Sequence, residues 1–194
     1  MKSKLLCQLF FYLLLKIRKI FYKILTMTNE VIGKKIGILS DSHGSINPQI
    51  IDLMNECDIV IHAGDIIDDF NLEKIEPKEK LIAVRGNNDA HLKQFTDCEY
   101  LEIYDKKIVI EHGHRHGWEK PSHESLRKEH ADADIVIYGH THKQVIEKDQ
   151  TPWIINPGAS GPIRNYDGPK CIVINANEIG EWQINPYIFR EILN

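Results

Sequence analysis

Ile36-Gly37-Ile38-Leu39-Ser40-Asp41-Ser42-His43 runs a short β-branched segment straight into a turn that carries a carboxylate and an imidazole two positions apart. The same arrangement returns four more times along the chain. Val60-Ile61-His62-Ala63-Gly64-Asp65, Ala83-Val84-Arg85-Gly86-Asn87-Asn88-Asp89, Val109-Ile110-Glu111-His112-Gly113-His114 and Val136-Ile137-Tyr138-Gly139-His140-Thr141-His142 each end an apolar run on metal-ligand residue types. Apolar runs of this length, bounded by Gly-rich turn sequence, read as buried strands.

Helical segments lie between them. Asn47 as cap, Pro48 in the first turn and the apolar face Ile50, Ile51, Leu53 and Met54 predict a helix over 49–57. A strand is expected at 59–62, a short helix over 69–75 ended by Pro77, and a strand at 81–84. Segments 100–104 and 108–111, joined through Asp105-Lys106-Lys107, predict a β-hairpin, and 122–130 a helix with Ser122 and Ser125 as candidate caps. Further strands are expected at 135–138, 144–147, 153–156, 171–175 and 181–186. Continuous apolar strands alternating with helices imply a sheet covered on both faces, and the later hairpins a second sheet. The expected class is α/β, a two-sheet sandwich with the candidate ligands gathered at strand ends on one edge.

Size and charge narrow the function classes. The chain has 194 residues, enough for one domain with a sizeable core, and its 42% hydrophobic and 27% charged content is that of an ordinary globular protein. Residues 1–26 carry Lys2, Lys4, Lys16, Arg18, Lys19 and Lys23 and no acid; without those six, 18 bases face 28 acids. A body near −10 lacks the basic surface that nonspecific nucleic-acid binding requires, so no specific nucleic-acid partner is expected. A small phosphorylated substrate held by metal is compatible with that balance. Cys7, Cys57, Cys98 and Cys171 form no CxxC pair and read as isolated thiols in a reducing cytosol.

Asp41, His43, Asp65, Asn87, His112, His140 and His142 together offer oxygen and imidazole donors without a thiolate. A carboxylate has two oxygens and can bridge two cations. Seven ligands, one of them bridging, make two four-donor shells, too many for a single tetrahedral zinc and suited to a binuclear centre with open positions. Mixed oxygen and nitrogen donors suit Mn²⁺ first, with Fe, Zn²⁺ or Ni²⁺ as alternatives.

As an ordered set, Asp-x-His, Gly-Asp, Gly-Asn-x-Asp, His-Gly-His and Gly-His-Thr-His resemble the calcineurin-like metallophosphoesterases. The small size and Asn156-Pro157-Gly158-Ala159-Ser160 resemble the YfcE-type phosphodiesterase branch. The resemblance covers about residues 35–187. It implies a four-layer α/β/β/α sandwich and phosphoester hydrolysis by a metal-bridging hydroxide. It assigns Asp41, His43, Asp65 and His142 to one metal and Asp65, Asn87, His112 and His140 to the other, with Asp65 as the bridge. One departure stands out: many relatives have His after the ligand Asn, as acid for the leaving group, where this chain has Asn88. A preference for good leaving groups follows. The alternative reading is a noncatalytic scaffold resembling the retromer-subunit branch; the complete set of ligands argues against it.

Neighbouring residues receive more modest expectations. His114 is the candidate catalytic residue, expected beside substrate or metals, whereas His116 is expected to be solvated. His62 reads as a satisfied core histidine, Asp89 as the acceptor of a ligand histidine's N–H, Arg85 as a partner of a loop carbonyl, and Arg164 as a surface arginine. The Asn156–Ser160 loop reads as a turn that returns the second sheet.

Residues 1–26 form a basic apolar extension preceding a single domain over 27–194. The run Leu5 to Leu15 is shorter than the ~20 residues a spanning helix needs. Either the segment lies on anionic lipid as an amphipathic helix, giving peripheral membrane association, or translation starts at Met27. The latter is favoured, with a cytoplasmic location. Self-association into a homo-oligomer stays open.

Overall fold

β1 (Gly33–Leu39) sends Ile36 and Ile38 to one side of its sheet and Gly37 and Leu39 to the other, and all four are buried. That double burial is what the sequence run demands, since a strand covered on both faces has no polar alternation. The computed structural model describes residues 33–117, 119–165 and 167–189; the expectations for residues 1–26 lie outside them.

α1 (Pro48–Asn55) follows, with the Asn47 side chain accepting from the Gln49 N–H as its cap and Ile50 and Met54 buried. β2 (Ile59–His62), a 3₁₀ turn (Asp69–Lys74) and β3 (Lys80–Ala83) continue the chain. β4 (Cys98–Ile103) and β5 (Lys106–Glu111) form the hairpin, and a second 3₁₀ turn (His114–His116) leads to α2 (His123–Glu129), capped by Ser122. Then come β6 (Ile135–Ile137), β7 (Gln144–Glu147), β8 (Trp153–Pro157), β9 (Lys170–Asn177) and β10 (Trp182–Ile188).

Two five-stranded sheets result, ordered β10-β9-β1-β2-β3 and β4-β5-β6-β8-β7. β1, β2 and β3 are parallel neighbours, as are β5, β6 and β8. The inner faces meet in one core: Ile36, Ile38, Ile59, Ile61, Ile172 and Ile174 from the first sheet against Leu101, Ile108, Ile110, Ile135, Ile137 and Ile155 from the second. On the outer face of the first sheet, Leu39, Val60, Cys171 and Val173 pack with Ile50 and Met54 of α1. On the outer face of the second, Val136, Tyr138 and Ile154 pack with Leu126 of α2. These three clusters make the four layers α/β/β/α.

One assignment differs from the sequence reading. The C-terminal hairpin β9–β10 does not join the second sheet; it adds to the first, antiparallel to β1 through pairs such as Ile36 with Ile174. Ile172 and Ile174 fill the same inner face as Ile36 and Ile38 in that register, which fixes the choice. Cys57, Cys98 and Cys171 are free thiols. Among the described residues, no helix is long and apolar enough to cross a membrane.

Candidate metal centre

Every candidate ligand follows the carboxyl end of a parallel strand. Asp41 and His43 follow β1, Asp65 follows β2, Asn87 follows β3, His112 follows β5, and His140 and His142 follow β6. Open α/β sheets bind ligands at this edge, where strands stop and chain direction changes. Here two sheets present that edge together.

The backbone turns hard to achieve it. Asp41, His43, Asp65, His140 and His142 all adopt left-handed φ, between 46° and 68°. Such a conformation is uncommon for residues with a Cβ and costs of order 1–3 kcal/mol each where it persists. Only Ile67, Tyr104 and Arg164 among the other described non-glycine residues do the same. The surrounding hydrogen bonds hold the strain: Asp41 N–H donates to Gly64 O at 2.9 Å, His43 N–H to Asp65 O at 3.0 Å, and His140 N–H to the Asp41 carboxylate at 3.1 Å. Two glycines let the loops close. A Cβ on Gly64 would lie 2.7 Å from the His112 ring, and one on Gly86 would overlap the Asp65 carboxylate.

The donor atoms converge. His43 Nε2 lies 3.0 Å from His142 Nε2, and His142 Nε2 lies 3.4 Å from Asp41 Oδ1. Asp65 sits between the two groups: Oδ2 is 3.7 Å from His43 Nε2 and Oδ1 is 3.3 Å from His112 Nε2. The His140 ring stands edge-on to His112 at 5.2 Å. Asn87 Oδ1 and His112 Nε2 are buried without a hydrogen-bond partner, as atoms suited to an ion would be. His112 Nδ1 is 2.8 Å from Ala63 O and His142 Nδ1 is 3.0 Å from Ile163 O. Protonated at Nδ1, each ring donates to its carbonyl and turns its Nε2 lone pair into the site, the outer-shell pattern of metal histidines.

Electrostatics agree for His43 and His142, whereas His112 keeps a second proton at pH 7 until an ion displaces it. Burial pushes His142 down to about 4, helped by Arg164 and His43, and pushes His43 below its usual value, so both are neutral donors at pH 7. Burial also lowers His112, but Asp65 and Asp41 outweigh it and raise this imidazole to about 9. Burial raises Asp41 to about 6.

A family model of the calcineurin-like phosphoesterase superfamily domain matches residues 35–178. The chain belongs to the calcineurin-like phosphoesterases. Among its relatives, the phosphodiesterase MJ0936 of Methanocaldococcus jannaschii is 35% identical over 146 residues, covering 64% of this chain and 82% of that protein. A probable metallophosphoesterase, YsnB of Bacillus subtilis, is 33% identical over 128 residues, 63% of this chain and 72% of its own. A solved archaeal phosphodiesterase superposes with a TM-score of 0.59 at 28% identity, covering 79% of this chain and 99% of that one. Vps29 of Chaetomium thermophilum superposes with a TM-score of 0.64 at 14% identity, over 79% and 95% of the two chains, and shares the fold.

Around this candidate centre several neighbours differ from the sequence expectations. Asp89 binds no histidine. It accepts from the backbone N–H groups of Gly86 (2.8 Å), Ile66 (3.0 Å) and Ile67 (2.7 Å), tying the Asp65 and Asn87 loops together. Asp89→Ala strands these donors, and buried unsatisfied groups cost ~1–3 kcal/mol each. A net loss of about 3 kcal/mol should lower the thermal midpoint by roughly 6–12 °C, measurable by calorimetry. A shift within 2 °C of wild type, on the order of experimental scatter, would contradict this role.

Arg164 is exposed, as expected of a surface arginine, yet its guanidinium also donates to His142 Nε2 at 3.1 Å. Nothing in its loop sequence, Gly161-Pro-Ile-Arg164, marks it, because the contact depends on β6 and β8 lying side by side. Arg85 pairs with Asp97 at 2.7 Å through its side chain. His62 lies in the core as expected, 3.0 Å from Ser42 Oγ, but it is only half satisfied, because its buried Nδ1 has no hydrogen-bond partner. His114 lies beside the ligands, its ring 5.6 Å from His112 and 6.2 Å from His140, with Nδ1 buried and unpartnered. His116 is buried rather than solvated, because Glu111 and Ser125 receive it. Asn156 braces the His140 turn, donating to Gly139 O at 2.6 Å and Thr141 Oγ1 at 3.2 Å, while Ser160 Oγ donates to Ser40 O at 2.8 Å.

Proposed function

We propose that this chain is a binuclear-metal-dependent phosphodiesterase acting on small phosphoesters with good leaving groups. The observation that carries the reading is the Asp65 carboxylate, whose two oxygens face His43 on one side and His112 on the other. Asp41, His43, Asp65 and His142 would hold one divalent ion, and Asp65, Asn87, His112 and His140 the second. Mn²⁺ is the first candidate metal, with Fe, Zn²⁺ or Ni²⁺ as alternatives. Two such ions supply Lewis acidity for phosphoryl oxygens and a nucleophile from water at neutral pH.

The protein's own groups complete the chemistry. The buried carboxylates Asp41 and Asp65 offset cation charge, and the left-handed turns preorganise the donors. His142 Nε2 cannot serve both Arg164 and a cation, so a loaded centre frees the guanidinium to grip a phosphoryl oxygen. His114 supplies a hydrogen-bond donor to the substrate from its half-buried place beside His112. Asn88 holds Asp65 through its backbone N–H (3.0 Å) and its side-chain amide (2.7 Å); an amide cannot protonate an alkoxide.

Hydrolysis of an aryl phosphodiester by purified protein with added Mn²⁺ tests the activity, and a panel of phosphomonoesters, phosphodiesters and cyclic nucleotides defines the substrate class. No turnover with any of them, in protein shown to hold two ions, would overturn the reading.

Metal affinity should rise with pH. His112 must lose the proton it holds below about 9 before it can ligate. Apparent affinity should therefore climb about tenfold per pH unit between 7 and 9, and more steeply below about 6, where Asp41 also binds a proton. Calorimetric titrations at several pH values measure this; a flat profile across that range would contradict it.

A further inference from the structure

A second group of metal-ligand side chains lies outside the phosphoesterase centre. Glu111 ends β5, and with period-two alternation the following residue, His112, serves the centre while Glu111 faces the α2 side of the sheet. There it meets His116 of the 3₁₀ turn and Glu129 and His130 at the end of α2. One donor atom from each of these four residues lies within 4.8 Å of all the others.

Ion pairs join these residues, yet two buried donor atoms stay unsatisfied. Glu111 Oε1 and His116 Nε2 are 3.0 Å apart, yet both are buried without a hydrogen-bond partner. Two buried acceptor-capable atoms this close, neither satisfied by the other, are near enough to share one cation. Glu111 is 1% exposed and His116 8%, so water does not satisfy them freely. Glu129 Oε2 is 3.5 Å from His116 Nε2. His130 Nε2 is 2.9 Å from Glu111 Oε2. Ligand bonds near 2.0–2.1 Å in a tetrahedral shell put donor atoms ~3.3 Å apart, within the spread seen here.

The supporting contacts also fit. His116 Nδ1 is 2.8 Å from Ser125 Oγ; donating there, it leaves the Nε2 lone pair facing the cluster. The Arg115 guanidinium takes the outer oxygens, Glu111 Oε2 at 3.1 Å and Glu129 Oε1 at 3.7 Å, leaving Glu111 Oε1 and Glu129 Oε2 turned toward His116. Glu129 and His130 also line a pocket of about 520 Å³ with Tyr100, Lys107 and Asp132, so two of the four residues reach solvent.

We propose that Glu111, His116, Glu129 and His130 bind a third divalent cation of the Zn²⁺ type, independently of the binuclear centre. Two imidazoles and two carboxylates without a thiolate are a tetrahedral Zn²⁺ donor set. Binding exchanges the His130–Glu111 hydrogen bond for two bonds to the ion, with the imidazole N–H of His130 then at Nδ1. The ion ties the 3₁₀ turn to the end of α2 and so fixes the loop that carries His112 and His114.

Chelator-stripped, untagged full-length protein titrated with Zn²⁺ against a chromophoric chelator tests this. Wild type should take up one equivalent more than His130→Gln, and the same one-equivalent difference should persist when both carry Asp65→Ala, which cripples the other centre. Equal uptake by wild type and folded His130→Gln, or a difference that vanishes in the Asp65→Ala background, would overturn the third site. Should His130→Gln not fold, Glu129→Ala decides the matter, because its side chain is 50% exposed at a helix end. It should weaken one Zn²⁺ equivalent at least tenfold, and an unchanged titration curve would overturn the proposal.

Discussion

Replacing Asp65 with alanine is expected to lower kcat/KM for an aryl phosphodiester by at least about a thousandfold, while the protein stays folded. The carboxylate faces both His43 and His112, at 3.7 and 3.3 Å and closer to His112 than Asp41 Oδ1 at 4.0 Å, so its loss weakens both shells at once. Each ion is worth several kcal/mol of transition-state charge stabilisation, and ~4 kcal/mol is already a factor of about a thousand. The fold should survive because the interleaved isoleucine core between the sheets does not include Asp65. Robust turnover by Asp65→Ala would refute the bridging role.

The second large effect concerns the leaving group. With Asn88 in place of an acid, the wild-type rate should fall steeply as the leaving group becomes more basic, so that a methyl ester reacts far more slowly than an aryl ester. Asn88→His should raise alkyl-ester turnover by roughly a hundredfold and leave aryl-ester turnover nearly unchanged, since general acid catalysis contributes ~10²–10⁴-fold where proton transfer limits the rate. The backbone N–H of residue 88 keeps its 3.0 Å bond to Asp65 in the variant, which holds the new imidazole at the same place. Comparable wild-type rates for methyl and aryl esters would contradict this account of Asn88.

Much of this architecture is legible in the chain because its signals are local. Each central strand is a continuous apolar run, and each ligand stands a few residues past its end, so strand boundaries and site positions come from one pattern. Asn47 and Ser122 cap the helices they precede, as their side chains dictate. What the sequence hides depends on which strands lie together. β9–β10 could have extended either sheet, and only the pairing of Ile172 and Ile174 with the β1 face decides. Arg164 and His116 look like loop residues by pattern; their contacts with distant partners, His142 for one and Glu111 with Ser125 for the other, are invisible in the local sequence. Asp89 binds backbone rather than histidine because Gly86, Ile66 and Ile67 turn three N–H groups toward it.

The central claim is two ions sharing Asp65, and electron paramagnetic resonance of the Mn²⁺-loaded, active protein tests it most directly. A shared carboxylate should give an exchange-coupled multiline spectrum that disappears in Asp65→Ala. Active protein showing only the six-line signal of isolated Mn²⁺ would contradict it.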